Sequence, residues 1–228
     1  MQAKLNVNSF KLKMLIKICY IVSAYLAGGV PFGFIAGKIK GLDIREHGSR
    51  NVGATNVFRV VGKGPGVAVY LLDALKGFLP VLISKLVWPS ISIPDQWFYI
   101  AVGLAAILGH VFTPYLKFKG GKGVAAASGV LLALEPIATL IALASFTIVL
   151  LTSGYVSLGS IIASLIFPLS AAVNRIGQNQ NPLVPIVALG WLVTILIMLT
   201  HKKNIIRLLN GTENKFRFKK DKSPSDNK

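Results

Sequence analysis

Acidic residues are scarce in this chain: 8 Asp and Glu stand against 25 Lys and Arg in 228 residues, for a net charge of +17. Charged residues of both signs make up 14% of the sequence and hydrophobic residues 53%, with a mean hydropathy of +0.63. That leaves too little polar material to cover a soluble globule of this length, so the apolar surface calls for lipid. The single cysteine, Cys19, lies in an apolar stretch, which excludes a disulfide framework and a cysteine-based metal cluster. No strong internal repeat or low-complexity domain is present. No RNA-binding aromatic motif accompanies the basic residues, so their charge reads as membrane topology plus a tail lying against anionic lipid, and nucleic acid is not an expected partner.

What is abundant is apolar sequence in long windows: Met14 to Gly37, Pro65 to Val87, Trp97 to Leu116, Val124 to Leu134, Pro136 to Thr152, Leu158 to Val173 and Leu183 to Thr200. Most approach the roughly 20 residues of a spanning helix. The exception is Val124 to Leu134, which Glu135-Pro136 stops early; it is expected to pack inside the bundle instead of facing lipid. The expected fold is an all-α integral membrane bundle of seven transmembrane helices, with six as the fallback. Residues 1–204 form the membrane domain and 205–228 a basic tail. The N-terminal lysines before an apolar run resemble a signal peptide, but the run continues to Gly37 and Ala24-Tyr25-Leu26-Ala27 does not have the A-x-A spacing, so it reads as a retained first span, bent near Gly28 to Pro31.

Orientation follows from the cations. Of the 25 Lys and Arg, 18 fall in the loop after the first span, in the loop around Lys117 to Lys122, and from Lys202 onward. The positive-inside rule places those segments and the C-terminus in the cytoplasm. An odd number of spans then puts the N-terminus outside, against Lys4, Lys11, Lys13 and Lys17.

Three polar, glycine-rich stretches interrupt the apolar pattern: Arg45 to Arg59, Lys117 to Gly123, and Tyr155 to Ile161. They combine small residues, amides, hydroxyls and fixed cations, the materials of an anion site. In the first, Asn51 and Asn56 can donate to an oxyanion or phosphate, Ser49 and Thr55 can donate or accept, and Arg45, Arg50 and Arg59 can grip phosphate bidentately. In the second, Gly120, Gly121 and Gly123 permit close backbone approach to an anion while Lys122 compensates its charge. This is not a nucleotide P-loop, since Leu116 stands where the leading glycine belongs and Gly123 where Ser or Thr belongs. Asp73 and Lys76 can pair at i,i+3 within a span, as a structural ion pair or as part of a site. His110 reads as a structural hydrogen-bonding residue. His201, ending the last span beside Lys202, Lys203, Asn204 and Arg207, is a candidate acid/base or phosphate partner.

The segments GSRNVGATNVFRVVG, LGHVFTPYLKFKGGKGVA, YVSLGSI and THKKNIIRLLNGTENKF, in this order, resemble the bacterial acyl-phosphate:glycerol-3-phosphate acyltransferase family of integral inner-membrane enzymes. The resemblance runs from about Ser23 to Phe216. It implies a seven-helix bundle with a cytoplasm-facing site and transfer of a fatty acyl chain from acyl phosphate to the sn-1 hydroxyl of glycerol 3-phosphate, giving lysophosphatidic acid and phosphate. It also implies site positions: Ser49, Asn51 and Arg59 in the first stretch, Lys122 in the second, Ser160 in the third, and His201 and Asn204 at the end of the last span. The family's usual G-S-G-N is here Gly48-Ser49-Arg50-Asn51, and its first-span G-S-I-P has become Gly29-Val30-Pro31.

Such a reaction needs no metal, cofactor or nucleophilic cysteine, because acyl phosphate is already an activated mixed anhydride. It needs a positioned hydroxyl, a proton acceptor and donors around two phosphates. Arg59, Lys122 and Asn204 suit the phosphates; Ser49, Ser160 and Asn51 suit the oxyanion or the hydroxyl; His201 or a substrate phosphate oxygen can accept the proton. The His-x4-Asp pair of soluble-type acyltransferases is absent, since Val52, Tyr115 and Ile206 follow the three histidines at that spacing. A small transporter for a phosphorylated metabolite is the competing reading, disfavoured by cations gathered at one membrane face and by the absence of an inverted repeat.

Overall fold

The computed structural model describes residues 2–88, 93–179, 181 and 185–216; the side chains of 2–9 and 93–95 are outside that description. Among the described residues all regular structure is helical. The elements are α1 (Gln2–Gly29), α2 (Phe32–Ile39), α3 (Ala54–Val60), α4 (Lys63–Val87), α5 (Ile93–Val111), a short 3₁₀ turn (Pro114–Leu116), α6 (Val124–Leu134), α7 (Pro136–Ser153), α8 (Val156–Gly177), α9 (Pro185–Thr200) and α10 (Lys202–Leu209). The break between α1 and α2 falls at Val30-Pro31, where proline removes a backbone donor.

Among the described residues, five spans are long and apolar enough to cross a membrane, and α9 with α10, bent by 66° at His201, makes a sixth if the pair is one span. The seventh window is the eleven-residue α6, about 16 Å long against a hydrocarbon core of about 30 Å. Length by itself gives five or six crossings among the described residues, which reaches the fallback of six and does not confirm seven. As expected, α6 lies inside the bundle, with Ala125, Ala126, Ala127, Gly129, Val130, Leu131 and Ala133 all buried.

Without water to drive helix association inside a bilayer, close backbone approach has to supply the packing. The α4–α6 contact does this reciprocally. A Cβ on Gly77 would collide with the Ala126 carbonyl, and one on Gly129 with the Ala74 carbonyl. This contact holds the start of α6, which carries part of the site, against α4.

A second, smaller core of Ile44, Val52, Val57, Val69 and Leu116 sits beneath the first polar stretch. The segment from 44 to 61 is therefore a folded platform anchored in apolar material, and not a solvated loop. At the other end of the chain, α10 and residues 210–216 pack back onto the bundle: Phe216 N–H donates to the Gly154 carbonyl (2.7 Å), and the Phe216 and Phe58 rings stand 4.5 Å apart. The folded part thus extends through 216, past the expected domain limit at 204. Residues 217–228 of the expected tail lie outside the described residues.

Candidate active site

A cleft opens where the three polar stretches meet the C-terminal segment. Ser49, Asn51, Arg59, Lys122, Gly123, Ser160, His201 and Asn204 all line it. Residues from the first turns of α3, α6, α8 and α10 line it as well, and none of these helices has a side-chain hydrogen bond at its N-cap. Their N-terminal N–H groups and positive dipole ends favour an anion in the cleft.

The electrostatic centre of the site is one carboxylate. Glu213 Oε1 accepts hydrogen bonds from Ser157 Oγ (2.9 Å) and Asn204 Nδ2 (2.6 Å), and Oε2 accepts from Arg207 Nε (2.6 Å). Burial opposes its charge, yet the bonds from Arg207, Asn204 and Ser157 hold its carboxyl below the ordinary glutamate value. Asn204 in turn accepts from Lys122 Nζ (2.5 Å) through Oδ1, so one amide joins the lysine to the carboxylate. Arg59 reaches over from α3 to donate to the Asn214 carbonyl (3.1 Å). Arg59, Lys122 and Arg207 thus share the cleft with Asp73 and Glu213, an excess of fixed positive charge before the helix ends are added.

Burial pushes the Lys122 ammonium down to about 8, with Arg207 and Arg59 adding to the effect and Glu213 opposing it. The cation is therefore present below about pH 8 and lost above it. The expected result is that kcat/KM for an anionic substrate falls as pH rises through about 8, because that ratio reports the free enzyme. Lys122→Arg, which stays charged, should move the alkaline limb upward. A limb unmoved by that substitution would detach the pH dependence from Lys122.

His201 is buried at the α9–α10 bend, and its Nδ1 lies 2.8 Å from the Ile197 carbonyl. A carbonyl only accepts, so Nδ1 carries the hydrogen, and in the neutral ring Nε2 keeps a lone pair. Ser160 Oγ donates to the Val156 carbonyl (2.9 Å), which leaves its oxygen able to accept. Asn51 Oδ1 accepts from Gly53 N–H (2.8 Å) and so braces the turn into α3.

Four sequence candidates lie outside the cleft lining. Asn56 is 1% exposed and fully engaged: Nδ2 donates to the carbonyls of Ile44, His47 and Asn51, and Oδ1 accepts from Ser49 N–H (2.9 Å). It pins the platform and places Ser49; it does not line the cleft. Gly120 and Gly121 donate their N–H groups to the Val111 and His110 carbonyls at the end of α5 (3.0 Å each), so these are not available to an anion. Their glycine character serves close packing instead, since a Cβ on Gly120 would strike the His110 carbonyl and one on Gly121 the His110 ring. Arg50, at φ 59°, is exposed and away from the cleft.

The Asp73–Lys76 pair forms as expected (2.7 Å), and Lys76 Nζ also donates to the Val30 carbonyl (2.6 Å), clamping α4 to the α1–α2 break. His110 Nδ1 lies 3.5 Å from Asp73 Oδ1, and both residues reach the cleft wall. Glu213 was missed as a site residue. Its signal was its rarity, one of 8 acids and set within the basic end of a +17 chain.

Beneath the cleft lies an apolar slot between α4, α6, α7, α8 and α9. Tyr70, Val124, Phe146 and Ser160 line both spaces, so the two adjoin. The fold and site are those of a polytopic helical membrane protein with a cationic cleft beside an apolar slot. The glycerol-3-phosphate acyltransferase family model matches residues 18–211. Glycerol-3-phosphate acyltransferases from Geobacter sulfurreducens and Endomicrobium trichonymphae are 44% and 46% identical to this chain, over 90% and 92% of it and 100% of each relative. A crystal structure of PlsY (YgiH), an integral membrane glycerol 3-phosphate acyltransferase in its glycerol 3-phosphate form, superposes with a TM-score of 0.79 at 39% identity, covering 88% of this chain and 96% of that one. The lysophosphatidic acid form of that enzyme gives a TM-score of 0.77 at 38% identity, covering 88% and 95%. This chain belongs to the glycerol-3-phosphate acyltransferase family.

Proposed function

We propose that this protein transfers a fatty acyl group from acyl phosphate to the sn-1 hydroxyl of glycerol 3-phosphate, forming lysophosphatidic acid and orthophosphate for phospholipid synthesis. The observation that carries this reading is that the cationic cleft adjoins the apolar slot, the two sharing Tyr70, Val124, Phe146 and Ser160. The names of its relatives, and the glycerol 3-phosphate and lysophosphatidic acid forms of its structural neighbour, support the acceptor and the product.

In this reading the glycerol 3-phosphate dianion lies against Lys122, Arg59 and the amide of Asn204, with the α6 and α10 N-termini behind it. The acyl chain enters the slot, which brings the anhydride carbonyl to the mouth beside Ser160. The glycerol hydroxyl oxygen bonds to the carbonyl carbon, the bond from that carbon to the phosphate oxygen breaks, and orthophosphate leaves. Ser49, Asn51 and Ser160 orient the hydroxyl and the developing oxyanion. The hydroxyl proton passes to His201 Nε2 or to a substrate phosphate oxygen; His201→Gln, which keeps a hydrogen-bonding group without titration, separates the two. Cys19, the single cysteine, is exposed on α1, so no thiol nucleophile belongs to the site. The donor has no need of a soluble nucleotide-binding lobe, and an acyl phosphate dissolved in the bilayer suits a slot among membrane helices.

The test supplies purified protein with glycerol 3-phosphate and, in parallel, acyl phosphate, acyl-coenzyme A or acyl-carrier-protein thioester. Lysophosphatidic acid is expected from acyl phosphate. Efficient turnover with a thioester and none with acyl phosphate would overturn the donor assignment, and no covalent product from any donor would return the transporter reading.

The site is proposed to face the cytoplasm of a bacterial inner membrane, with the C-terminus on the same side, on the strength of the cation distribution. Ser49 and Lys203 are both exposed near the cleft end of the bundle. In a Cys19→Ser background, Ser49→Cys and Lys203→Cys are expected to resist an impermeant thiol reagent in intact cells and to react once the cells are opened. Labelling of intact cells would reverse the orientation.

A further inference from the structure

The apolar slot ends at one depth on four helices. At the cleft end its lining begins with Val124 of α6, Phe146 of α7, Ser160 of α8 and Ile197 of α9. The lining residues farthest from the cleft on the same helices are Leu131, Thr139, Phe167 and Gly190. Each is seven positions from its partner at the mouth, although α6 and α8 run away from the cleft while α7 and α9 run toward it. Seven residues of α-helix advance about 10 Å, so these four residues form a level floor. Along the walls, the hydroxyls of Ser128, Thr139 and Ser164 donate to carbonyls of their own helices (2.7–2.8 Å), which leaves the slot an apolar surface.

At the floor the Phe167 ring is 1% exposed and rests on Gly190: a Cβ added there would stand 2.9 Å from Phe167 Cδ1, 3.0 Å from Cε1 and 3.0 Å from Pro168 Cβ. The missing side chain at position 190 is what seats the ring. An extended hydrocarbon chain advances about 1.3 Å per carbon, the axial projection of a C–C bond, and so reaches the floor roughly eight carbons past the mouth. Any further methylene must bend away or displace a buried aromatic ring in a close-packed interior, which overpacking penalises.

We propose that this floor, and the seating of Phe167 on Gly190 above all, sets the length of acyl chain the protein accepts. The inference rests on the acyltransferase reading above. Phe167→Leu shortens the side chain at the floor and deepens the slot. Gly190→Ala pushes the ring toward the slot and makes it shallower.

The experiment is a competition. Purified protein receives an equimolar mixture of saturated acyl phosphates from hexanoyl to stearoyl with glycerol 3-phosphate, and the lysophosphatidic acids formed are weighed against one another by mass spectrometry. Product ratios report relative kcat/KM and do not depend on how much of a variant is folded. Phe167→Leu is expected to raise the decanoyl-to-octanoyl product ratio about tenfold, the low end of what methylene discrimination in an apolar pocket achieves, and Gly190→Ala to lower it by a similar factor. If Phe167→Leu gives no product, Leu131→Phe, which fills the floor from α6, carries the test alongside Gly190→Ala, and both are expected to lower the ratio. Wild-type ratios in these variants, or a shift opposite to that stated, would overturn the proposal. Failure of the wild-type protein to form any lysophosphatidic acid from acyl phosphate would instead overturn the acyltransferase reading.

Discussion

Replacing Glu213 with alanine is expected to lower kcat/KM for glycerol 3-phosphate by about two orders of magnitude. The carboxylate is the shared acceptor for Ser157 on α8 and for Asn204 and Arg207 on α10, and its side chain is 4% exposed. Breaking a buried ion pair by removing one partner costs about 3–5 kcal/mol. Arg207 is 37% exposed, so water partly relieves it and the low end applies, about 3 kcal/mol. Realised in the transition state, that is a rate factor on the order of 10². Asn204 would lose the bond that holds it where Lys122 donates. The Lys122 ammonium would also lose the one opposing charge that favours it, so its alkaline limb should move below pH 8. That limb separates an electrostatic role from general loss of folding, which lowers the amplitude without moving the inflexion. Glu213→Gln, retaining one acceptor oxygen, should fall between wild type and Glu213→Ala. Unchanged kinetics and an unmoved limb in Glu213→Ala would remove Glu213 from the site.

Lys122→Ala is the second large effect. A charge-assisted hydrogen bond to phosphate contributes about 1.5–3 kcal/mol, so its removal is expected to weaken phosphate-dependent steps about tenfold to over a hundredfold. Lys122 is a single half-buried residue in the connection between α5 and α6, outside the spanning helices, so membrane insertion and thermal stability should change little. If the lysine binds the ground-state phosphate, KM for glycerol 3-phosphate rises; if it acts mainly on the leaving phosphate, kcat falls. Wild-type kinetics in a well-inserted Lys122→Ala protein would reduce the turn to a solvated connector with a topological charge.

Much of the site could be read from residue type alone. Ser49, Asn51, Arg59, Lys122 and His201 stand in segments too polar for their apolar surroundings, Ser160 and Asn204 follow from the family resemblance, and the fold brings all of them to one cleft. Asn56 shows the limit of such reading. Its neighbours and its chemistry are those of Asn51, yet it is consumed by carbonyls of Ile44, His47 and Asn51. Gly120 and Gly121 fit an anion cradle by type, but the end of α5 claims their N–H groups. A polar group has a fixed number of hydrogen bonds, and which partner takes them depends on neighbours that the local sequence does not name.

The amino-acid sequence alone established a helical membrane protein, the bend at Gly28 to Pro31, the early end of α6 at Glu135-Pro136 and the residue types offered to the site, because hydropathy, proline and charge act locally. Tertiary structure alone decided how that chemistry is arranged. The contacts that build the cleft join residues far apart in the chain: Arg59 to Asn214 across 155 positions, Lys122 to Asn204 across 82 and Ser157 to Glu213 across 56. The level floor of the slot has the same origin, since it exists only where α6, α7, α8 and α9 stand side by side at one depth. Local propensity sets where a helix begins and ends; which faces meet is fixed by close packing over the whole bundle.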